Sequence, residues 1–279
     1  MRKRQSETLV CGKITDMNTA TQYKILIAIP AYNCEGQIQR VLKEIDKKLL
    51  ARVHEIAVID NGSIDSTVEK AVKYKNTKKL GNKLHIYKNN DNFNLGGTHK
   101  VAFQKAKKEG FTHVIILHGD NQAKSSEAND LLDYMETHHA HQTVLGSRFS
   151  KKSTLIGYSK KRVYGNKVLN SIYSLLALKK LEDLGSGLNL FALSDLDEKT
   201  YIQFADKLTF NYELILDLVK RKVDFAYLPI TWREEDQITN AKNLNIFKTG
   251  IFNLFSWRFG NAVTNNDKKI GTYKCREIL

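Results

Sequence analysis

The sequence feature that most constrains the fold of this 279-residue chain is an apolar run that ends abruptly in polar residues. Residues 114–117 include no polar side chain, which is typical of a strand buried on both faces of a parallel sheet. The polar stretch 118–122 follows at once. Ligands of open α/β sheets bind at the carboxyl ends of strands, and the carboxylate of Asp120 with the amide of Gln122 suits a divalent cation beside phosphate oxygens. A lone Asp there is more often a helix cap or a turn residue, so the rest of the chain decides between the two interpretations.

Further apolar runs alternate with segments of helical periodicity along the chain. Strands are predicted at 23–29, 55–59, 84–87, 143–145, 188–193 and 224–228. Helices are predicted at about 35–50, 66–76, 97–109, 126–138, 162–178 and 210–221. This alternation indicates βαβ units, and we therefore expect an α/β fold with a mainly parallel central sheet flanked by helices.

The composition limits the classes of partner and the location. A formal net charge of +14 favours nucleic acid, anionic lipid or phosphorylated small molecules as ligands. Three widely spaced cysteines indicate neither a metal site nor a disulfide framework, so a reducing cytosol is expected. No apolar run approaches the roughly eighteen residues needed to span a bilayer. We expect a mobile basic tail (1–22), one α/β domain (23–235) and a C-terminal amphipathic helical segment (236–279).

Two segments are rich in basic residues and poor in acidic ones. Between Arg148 and Lys180 there are nine lysines and arginines and no acidic residue. The segment 242–263 carries an apolar face with aromatic residues, flanked by Lys248 and Arg258. Such a helix either packs on the core, which is the commoner case, or lies at the headgroup boundary of a membrane, and the sequence leaves both open.

Seven short motifs occur at the ends of predicted strands or at the starts of predicted helices. They are IPAYN (29–33), VIDNGSID (58–65), NLGG (94–97), HGDNQ (118–122), GSR (146–148), SGL (186–188) and PITWR (229–233). In this order they resemble the family 2 glycosyltransferases with the GT-A fold, and most closely the dolichyl-phosphate mannose synthase and polyprenyl-phosphate glycosyltransferase group. The resemblance covers residues 23–233 and implies an inverting transfer of a sugar from a nucleoside diphosphate donor.

The resemblance assigns the donor site to residues at these strand ends. Pro30, Tyr32 and Asp60 are implied to surround the base and ribose. A carboxylate accepts the imide N–H that uracil and guanine share, and a tyrosine ring offers a stacking surface, so UDP and GDP sugars both remain open. The full set of implied donor contacts is Pro30, Tyr32, Asn33, Asp60, Gly62, Asn94, Gly97, Gly119 and Asp120.

The metal motif departs from the Asp-x-Asp-x-Gln pattern common in the family. His118 stands in place of the first acid, while Asp120 and Gln122 match the metal-facing positions. The resemblance thus implies Mg²⁺ or Mn²⁺ held by Asp120 and Gln122, with His118 as a further candidate ligand. Imidazole suits Mn²⁺ better than Mg²⁺, so the identity of the metal, and dependence on it, stay open.

An acceptor site is implied by three arginines. By the resemblance, Arg148, Arg162 and Arg233 contact phosphate groups, and with Asp120 they form the expected catalytic set. A polyprenyl phosphate is already an anionic nucleophile at neutral pH and needs no protein base. A sugar hydroxyl, as in surface polysaccharide synthesis, needs a carboxylate base instead. The candidates for that base are Asp183, Glu213, Glu234 and Glu235.

The expected location follows from a lipid-linked acceptor. We expect a cytoplasmic enzyme attached peripherally to the cytoplasmic face of a membrane, through its basic surface or through a membrane-embedded partner. A nucleic-acid-binding protein is the alternative from another class, but the sequence contains no recognised nucleic-acid-binding motif. A catalytically silent family member is a third hypothesis, because His118 replaces an acid.

Overall fold

The computed structural model describes residues 23–236, 243–260 and 273–279. The strands are β1 (Ile25–Ala31), β2 (Glu55–Asp60), β3 (Leu84–Asn89), β4 (His113–Leu117), β5 (Thr143–Ser147), β6 (Thr154–Ile156), β7 (Leu188–Ala192), β8 (Phe225–Pro229), β9 (Thr231–Arg233) and β10 (Cys275–Glu277). Eight of them form one sheet in the order β10-β3-β2-β1-β4-β7-β5-β8, and β6 pairs with β9 in a separate small sheet.

Parallel pairing dominates the centre of the large sheet. β3, β2, β1 and β4 are parallel neighbours, and β5 and β8 are also parallel. β7 runs antiparallel between β4 and β5, and β10 runs antiparallel along β3. Every residue of β1 and β4 is buried, as the unbroken apolar runs predict. The predicted α/β fold with a mainly parallel central sheet is confirmed.

Helices cover both faces of this sheet. They are α1 (Ile38–Lys43), α2 (Lys47–Arg52), α3 (Thr67–Lys75), α4 (Asn94–Lys108), α5 (Ala128–Thr137), α6 (Lys160–Ala177), α7 (Glu198–Tyr201), α8 (Phe210–Lys220) and α9 (Asn243–Phe259). Successive side chains of β1 point to opposite faces, so Ile27 and Ile29 join one core while Leu26 and Ala28 join the other. The first core includes residues of α1, α2, α3 and α5, and the second includes residues of α4, α6, α8 and α9.

One predicted helix is divided in the structure. The segment 35–50 forms α1 and α2 rather than a single helix. Between them Asp46 adopts an extended conformation, and its Oδ1 accepts a hydrogen bond from the backbone N–H of Leu49 at 2.7 Å. The helix cap therefore outweighs the apolar periodicity that continues across the break.

The C-terminal segment also differs from its prediction. Beyond α9 the chain supplies β10, which pairs with β3 through Cys275 and Asn89, so the segment adds an edge strand to the central sheet besides its helix. The predicted tail at 1–22 lies outside the described residues. Within the described ranges, no helix has both the length and the apolar character that a membrane crossing requires.

The start of α4 tolerates no side chain at Gly96. A Cβ there would lie 2.5 Å from the carbonyl oxygen of Ala205 and 2.6 Å from Cβ of Phe210. We expect Gly96→Ala to lower the free energy of unfolding by about 1–3 kcal/mol, because the backbone has to shift. Urea unfolding followed by circular dichroism measures this change.

Gly165 in α6 is the matched control, since a Cβ there meets no other atom within 4 Å. Gly165→Ala should stabilise the protein slightly, because alanine favours a helix more than glycine does. Equal losses for the two variants would contradict the packing at Gly96.

Candidate active site

The loops after β1 and β2 are joined by hydrogen bonds at the carboxyl edge of the sheet. Asp60, the last residue of β2, pairs in register with Ala31 of β1. Its buried carboxylate accepts hydrogen bonds from the backbone N–H groups of Gly62 and Ser63, both at 3.2 Å. Gly62 has a φ of +81°, a conformation that glycine adopts without steric cost. Asp60 therefore shapes the turn in which it stands.

Tyr32 and Asn33 extend from the end of β1 at the same edge. Asn33 donates its backbone N–H to Oγ of Ser63 at 3.0 Å, and its Oδ1 accepts from the backbone N–H of Ile64 at 3.0 Å. The Tyr32 side chain is partly exposed, at 43%. The two loops are thus fixed relative to each other beside an accessible aromatic ring.

The loop after β4 packs against the end of β1 on its other side. Gly119 donates its N–H to the carbonyl of Pro30 at 2.9 Å, and a Cβ on Gly119 would lie 3.2 Å from Sγ of Cys34. Asp120 is half-buried, and its Oδ1 accepts from the backbone N–H of Gln122 at 3.1 Å. Because β1 lies between β2 and β4, Asp60 and Asp120 flank β1 at one edge of the sheet.

Cys34 lies beneath this edge and is not an activated thiol. It is buried, and its burial raises its pKa to about 12, which favours the neutral thiol at physiological pH. The residue therefore has a packing role next to Gly119.

A fourth loop, which leads into α4, is held by Asn61. The Asn61 Oδ1 accepts hydrogen bonds from Nδ2 of Asn89 at 3.0 Å and from the backbone N–H of Phe93 at 2.8 Å. Its Nδ2 donates to Oδ1 of Asn92 at 2.9 Å, and Asn94 then begins the helix with a φ of +57°. These partners explain why an amide fits at Asn61, since its side chain both donates and accepts hydrogen bonds.

Gly97 lies in the first turn of α4, against the loop before α8. Its N–H donates to the backbone carbonyl of Asp206 at 3.2 Å, and a Cβ there would lie 2.6 Å from Cβ of Phe93. Asn94 and Gly97 are thus brought beside the Asp60 loop by the loop that leads into α4. The structure gives Gly97 a packing reason for having no side chain.

His118 is turned toward the protein. Its Nε2 lies 3.3 Å from Nε2 of His99, and a Cβ added to Gly187 would lie 2.8 Å from its Nδ1. Burial lowers the pKa of His118; Asp120 opposes this shift and Arg148 adds to it. The pKa of His99 is well below its usual value because of burial and the neighbouring His118. When both rings are neutral, one Nε2–H donates a hydrogen bond and the other Nε2 accepts it. This orientation does not support the expectation that His118 is a metal ligand.

Arg162 meets the Asp120 loop through a carboxylate. Gln122 donates from Nε2 to Oε1 of Glu234 at 3.4 Å, and the guanidinium of Arg162 donates to the same carboxylate oxygen. Arg162 also lies 4.7 Å from the ring centroid of Tyr158. The first turn of α6 therefore reaches the loop that carries Asp120 and Gln122. Glu234 is the link, and it follows β9, whose pairing with β6 was not predicted.

Arg148 is buried in a two-pronged ion pair. Its Nε and Nη2 donate to the two carboxylate oxygens of Asp183 at 2.7 Å each, and its guanidinium lies 4.9 Å from the ring centroid of Trp232. Burial alone would lower the pKa of Arg148, but the charge and hydrogen bonds of Asp183 raise it, so the cation is secure. The Trp232 ring and the His118 ring both lie beside Gly187, so Arg148 is near the Asp120 loop.

Arg233 contacts the protein from the other side of that loop. It donates from Nη1 and Nη2 to the carboxylate of Glu44 at 2.7 and 3.0 Å. Further contacts reach Oδ1 of Asn121 at 3.3 Å and the carbonyl of Ala123 at 3.2 Å. Arg233 thus joins the loop to the end of α1. Its guanidinium points at these partners rather than toward Arg162.

Of the four carboxylates considered as a base, Glu234 is linked most directly to the Asp120 loop. Asp183 is buried against Arg148. Glu213 lies in the first turn of α8, where it accepts hydrogen bonds from the N–H of Ala205 and from Nδ2 of Asn253 in α9, and burial raises its pKa to about 7. Glu235 is exposed.

The donor set fits a divalent cation that is completed by a substrate. Within the described ranges, no three His, Cys, Asp or Glu side chains are gathered closely enough to hold a metal by themselves. Asp120 instead offers a half-buried carboxylate at an accessible edge, next to the amide of Gln122. Mg²⁺ is typically bound in this way, through one or two carboxylates and the phosphates of the ligand.

Four loops and a half-buried carboxylate lie at the carboxyl edge of an open α/β sheet, which is where proteins of this class bind their ligands. The model of glycosyl transferase family 2 matches residues 26–197, and the chain belongs to this family. It is a glycosyltransferase that uses a nucleotide sugar. The resemblance in the motifs and the predicted enzyme class are thereby confirmed.

Sequence relatives include a yeast enzyme and an archaeal protein. The chain is 22% identical over 233 residues to the dolichyl-phosphate beta-glucosyltransferase of Saccharomyces cerevisiae, which covers 75% of this chain and 67% of the relative. It is 26% identical over 243 residues to an uncharacterized protein of Methanocaldococcus jannaschii, covering 83% and 99%.

Solved structures with a similar fold include glucosyl-3-phosphoglycerate synthase from Mycobacterium tuberculosis. Its complex with Mn²⁺, UDP and phosphoglyceric acid gives a TM-score of 0.61 at 16% identity, covering 91% of this chain and 86% of that one. Its complex with Mn²⁺, UDP-glucose and glycerol 3-phosphate gives 0.57 at 15% identity, covering 85% and 80%. At this level of identity the similarity shows the fold, which is GT-A, as predicted.

Proposed function

We propose that this glycosyltransferase transfers a sugar, with inversion, from UDP or GDP to the phosphate of a polyprenyl phosphate. The observation that carries the proposal is the contact chain from Gln122 through Glu234 to Arg162, which brings a guanidinium next to the Asp120 loop. Arginine presents parallel donors to a phosphate and keeps its charge. The yeast relative, a dolichyl-phosphate beta-glucosyltransferase, supports the same class of acceptor.

On the donor side, Asp120 and Gln122 would hold Mg²⁺ or Mn²⁺ together with diphosphate oxygens. The bound ion supplies positive charge to the departing diphosphate. Tyr32 offers its accessible ring to the base, whereas Asp60, which is fully buried, would not contact the base as expected but would position the loop through its turn. The structures of a fold relative that contain Mn²⁺ with UDP support the use of a divalent metal.

On the acceptor side, the phosphate is itself the nucleophile. Its oxygen forms the bond to the anomeric carbon while the bond to the diphosphate breaks, and no proton has to be removed. Arg162 would exchange Glu234 for the acceptor phosphate, whereas Arg148, whose charge Asp183 compensates, would act from its buried site as a positioning residue rather than contact the phosphate as expected. Arg233 would act as a positioning residue, because it fastens the Asp120 loop to Glu44. We propose peripheral attachment to the cytoplasmic face of a membrane, where such an acceptor lies.

Transfer to a hydroxyl group is the second candidate function. Glu234 favours it, because this carboxylate is joined by Gln122 to the loop of Asp120, where a general base would be needed. The two candidates require opposite roles for Glu234. In the first it only occupies Arg162 until the phosphate arrives, whereas in the second it removes a proton.

The test is to incubate the protein with labelled UDP and GDP sugars, Mn²⁺ or Mg²⁺, and either a short-chain polyprenyl phosphate or a panel of sugar hydroxyl acceptors. We expect an acid-labile lipid-linked sugar from one donor. Glu234→Gln should keep this activity within about tenfold, because no base is required. If a hydroxyl is the acceptor, the same variant should lose about 10²–10⁴-fold.

Glu235→Gln is the matched control, since it changes the exposed neighbouring carboxylate. Turnover with hydroxyl acceptors and none with polyprenyl phosphate would overturn the proposal in favour of the second candidate. Binding of the nucleotide and Mn²⁺ without transfer to either acceptor would identify a catalytically silent protein.

A further inference from the structure

An apolar face of α6 is exposed to solvent. The exposed fractions of Tyr164, Leu175 and Leu178 are 73%, 73% and 83%. Leu175 and Leu178 follow Tyr164 by eleven and fourteen residues, which is close to three and four helical turns, so the three residues lie along one side of α6. The opposite side is buried, with Tyr173 fully enclosed in the core. Three large apolar side chains at such exposure are not needed for the packing of α6.

Leu178 is unusual in its backbone as well. It follows α6 with a φ of +52°, in the left-handed region where helix ends normally carry glycine or asparagine. At 83% exposure, Leu178 contributes little to the packing of the described residues.

A second exposed apolar face lies on α9. Phe252, Phe255 and Phe259 are 64%, 47% and 68% exposed and lie on one side of the helix, whereas Leu254 on the other side is buried. α9 is docked on α6, because Tyr173 donates its hydroxyl to the carbonyl of Gly250 at 2.6 Å. Both helices pack inward against the same core, so their exposed sides form one outer surface.

This surface, which we call the docking face, is positively charged. Its exposed basic residues include Lys160, Lys161, Lys167, Lys248 and Arg258. Neither α6 nor α9 contains a single acidic residue. Aromatic and leucine side chains interspersed with lysine and arginine are typical of helices that lie in the headgroup region of anionic bilayers.

We propose that the docking face lies on an anionic membrane surface. The helix connects it with the acceptor side of the site, since Arg162 lies in the first turn of α6, about 3 Å along the axis from Tyr164 and on the side of the helix that meets Glu234. α6 extends about 27 Å from that end at 1.5 Å per residue. The inference rests on the proposed function and deepens it, because it places the end of α6 that carries Arg162 near the lipid headgroups. Membrane binding itself does not depend on the identity of the acceptor.

The test is co-sedimentation of the full chain with vesicles made of equal parts phosphatidylcholine and phosphatidylglycerol. Binding is expected, and it should fall sharply with pure phosphatidylcholine vesicles or high salt. Replacing Lys167, Lys248 and Arg258 by glutamine should weaken binding on the order of 100-fold, at about fivefold for each basic residue near the surface. Phe252→Ser with Phe259→Ser should also weaken it, while transfer to a short-chain acceptor in solution is retained.

The matched control replaces Lys73, Lys78 and Lys79 by glutamine. These exposed lysines lie in and after α3, which packs on the opposite face of the sheet, so the control removes the same charge without touching the docking face. Equal weakening by the two triple variants would overturn the inference and indicate general attraction by net charge.

The outcomes separate this inference from the proposed function. Absence of vesicle binding together with transfer to a short-chain polyprenyl phosphate overturns the docking face alone. Vesicle binding without any lipid-linked product overturns the proposed acceptor alone. A dimer in sedimentation velocity that the two Phe→Ser changes convert to monomer, with no vesicle binding, would show that a second copy covers the face.

Discussion

Asp120→Asn is expected to lower kcat/KM by on the order of 10³-fold. Asp120 is the carboxylate at the end of β4 that we propose as the metal ligand, and a bound divalent ion contributes several kcal/mol of charge stabilisation at a leaving diphosphate. The asparagine side chain keeps the shape and the turn to Gln122 but loses the negative charge. Mn²⁺ binding in the presence of UDP, measured by electron paramagnetic resonance, should weaken in parallel with activity.

Asp130→Asn, at an exposed position in α5, is the control and should change neither quantity. His118→Ala provides a second comparison, because His118 faces His99 and Gly187 in the structure. We expect Mn²⁺ binding to survive this change. If His118→Ala weakened Mn²⁺ binding as strongly as Asp120→Asn, the ring would be a ligand and the orientation seen here would not be the one that binds metal.

Lys100→Met is expected to lower the free energy of unfolding by about 3–5 kcal/mol. Lys100 and Asp206 are both fully buried, and Nζ donates to Oδ1 of Asp206 at 2.7 Å and to the carbonyl of Phe204 at 2.6 Å. Tyr273 donates its hydroxyl to the same carboxylate at 2.8 Å, which ties the C-terminal segment to α4. Removing the lysine leaves a buried carboxylate without its cation. Urea unfolding followed by circular dichroism measures the loss.

Lys107→Met is the matched control in the same helix, because Lys107 pairs with Glu198 at the surface and its side chain is 63% exposed. Its loss should be much smaller, since exposed ion pairs contribute little. The double variant Lys100→Met with Asp206→Asn should recover part of the stability by removing the uncompensated charge. A single variant as stable as the control would contradict a buried, paired Lys100.

The strands and the edge where they end were predictable because burial leaves a local trace in the sequence. The unbroken apolar runs of β1 and β4 and their polar ends were recognised, and β2 is within one residue of its prediction. The division of α1 from α2 was missed, although Asp46 is a recognisable cap residue. β6 and β9 were missed because each is three residues long, too short for a period to appear.

The partners of individual site residues were not predictable. Asn61 lies in the second of the seven motifs, but the motif does not reveal that it holds the loop into α4 through Asn89, Phe93 and Asn92. Arg233 reaches Glu44, which is 189 residues away in the chain. Neither periodicity nor motif spacing predicts the pair of Arg233 and Glu44, because it depends on where two distant elements meet in the fold.

By itself, the sequence determined the α/β class, the family and the edge of the sheet that carries Asp60 and Asp120. The class and the edge follow from hydrophobic periodicity and from strand ends, which are properties of neighbouring residues, whereas the family follows from the resemblance of the seven motifs. Only the tertiary structure decided that His118 faces His99, that Asp183 holds Arg148 and that Glu234 joins Arg162 to the Asp120 loop. The direction of a polar side chain is set by the partner that compensates its desolvation, and that partner comes from a distant part of the chain.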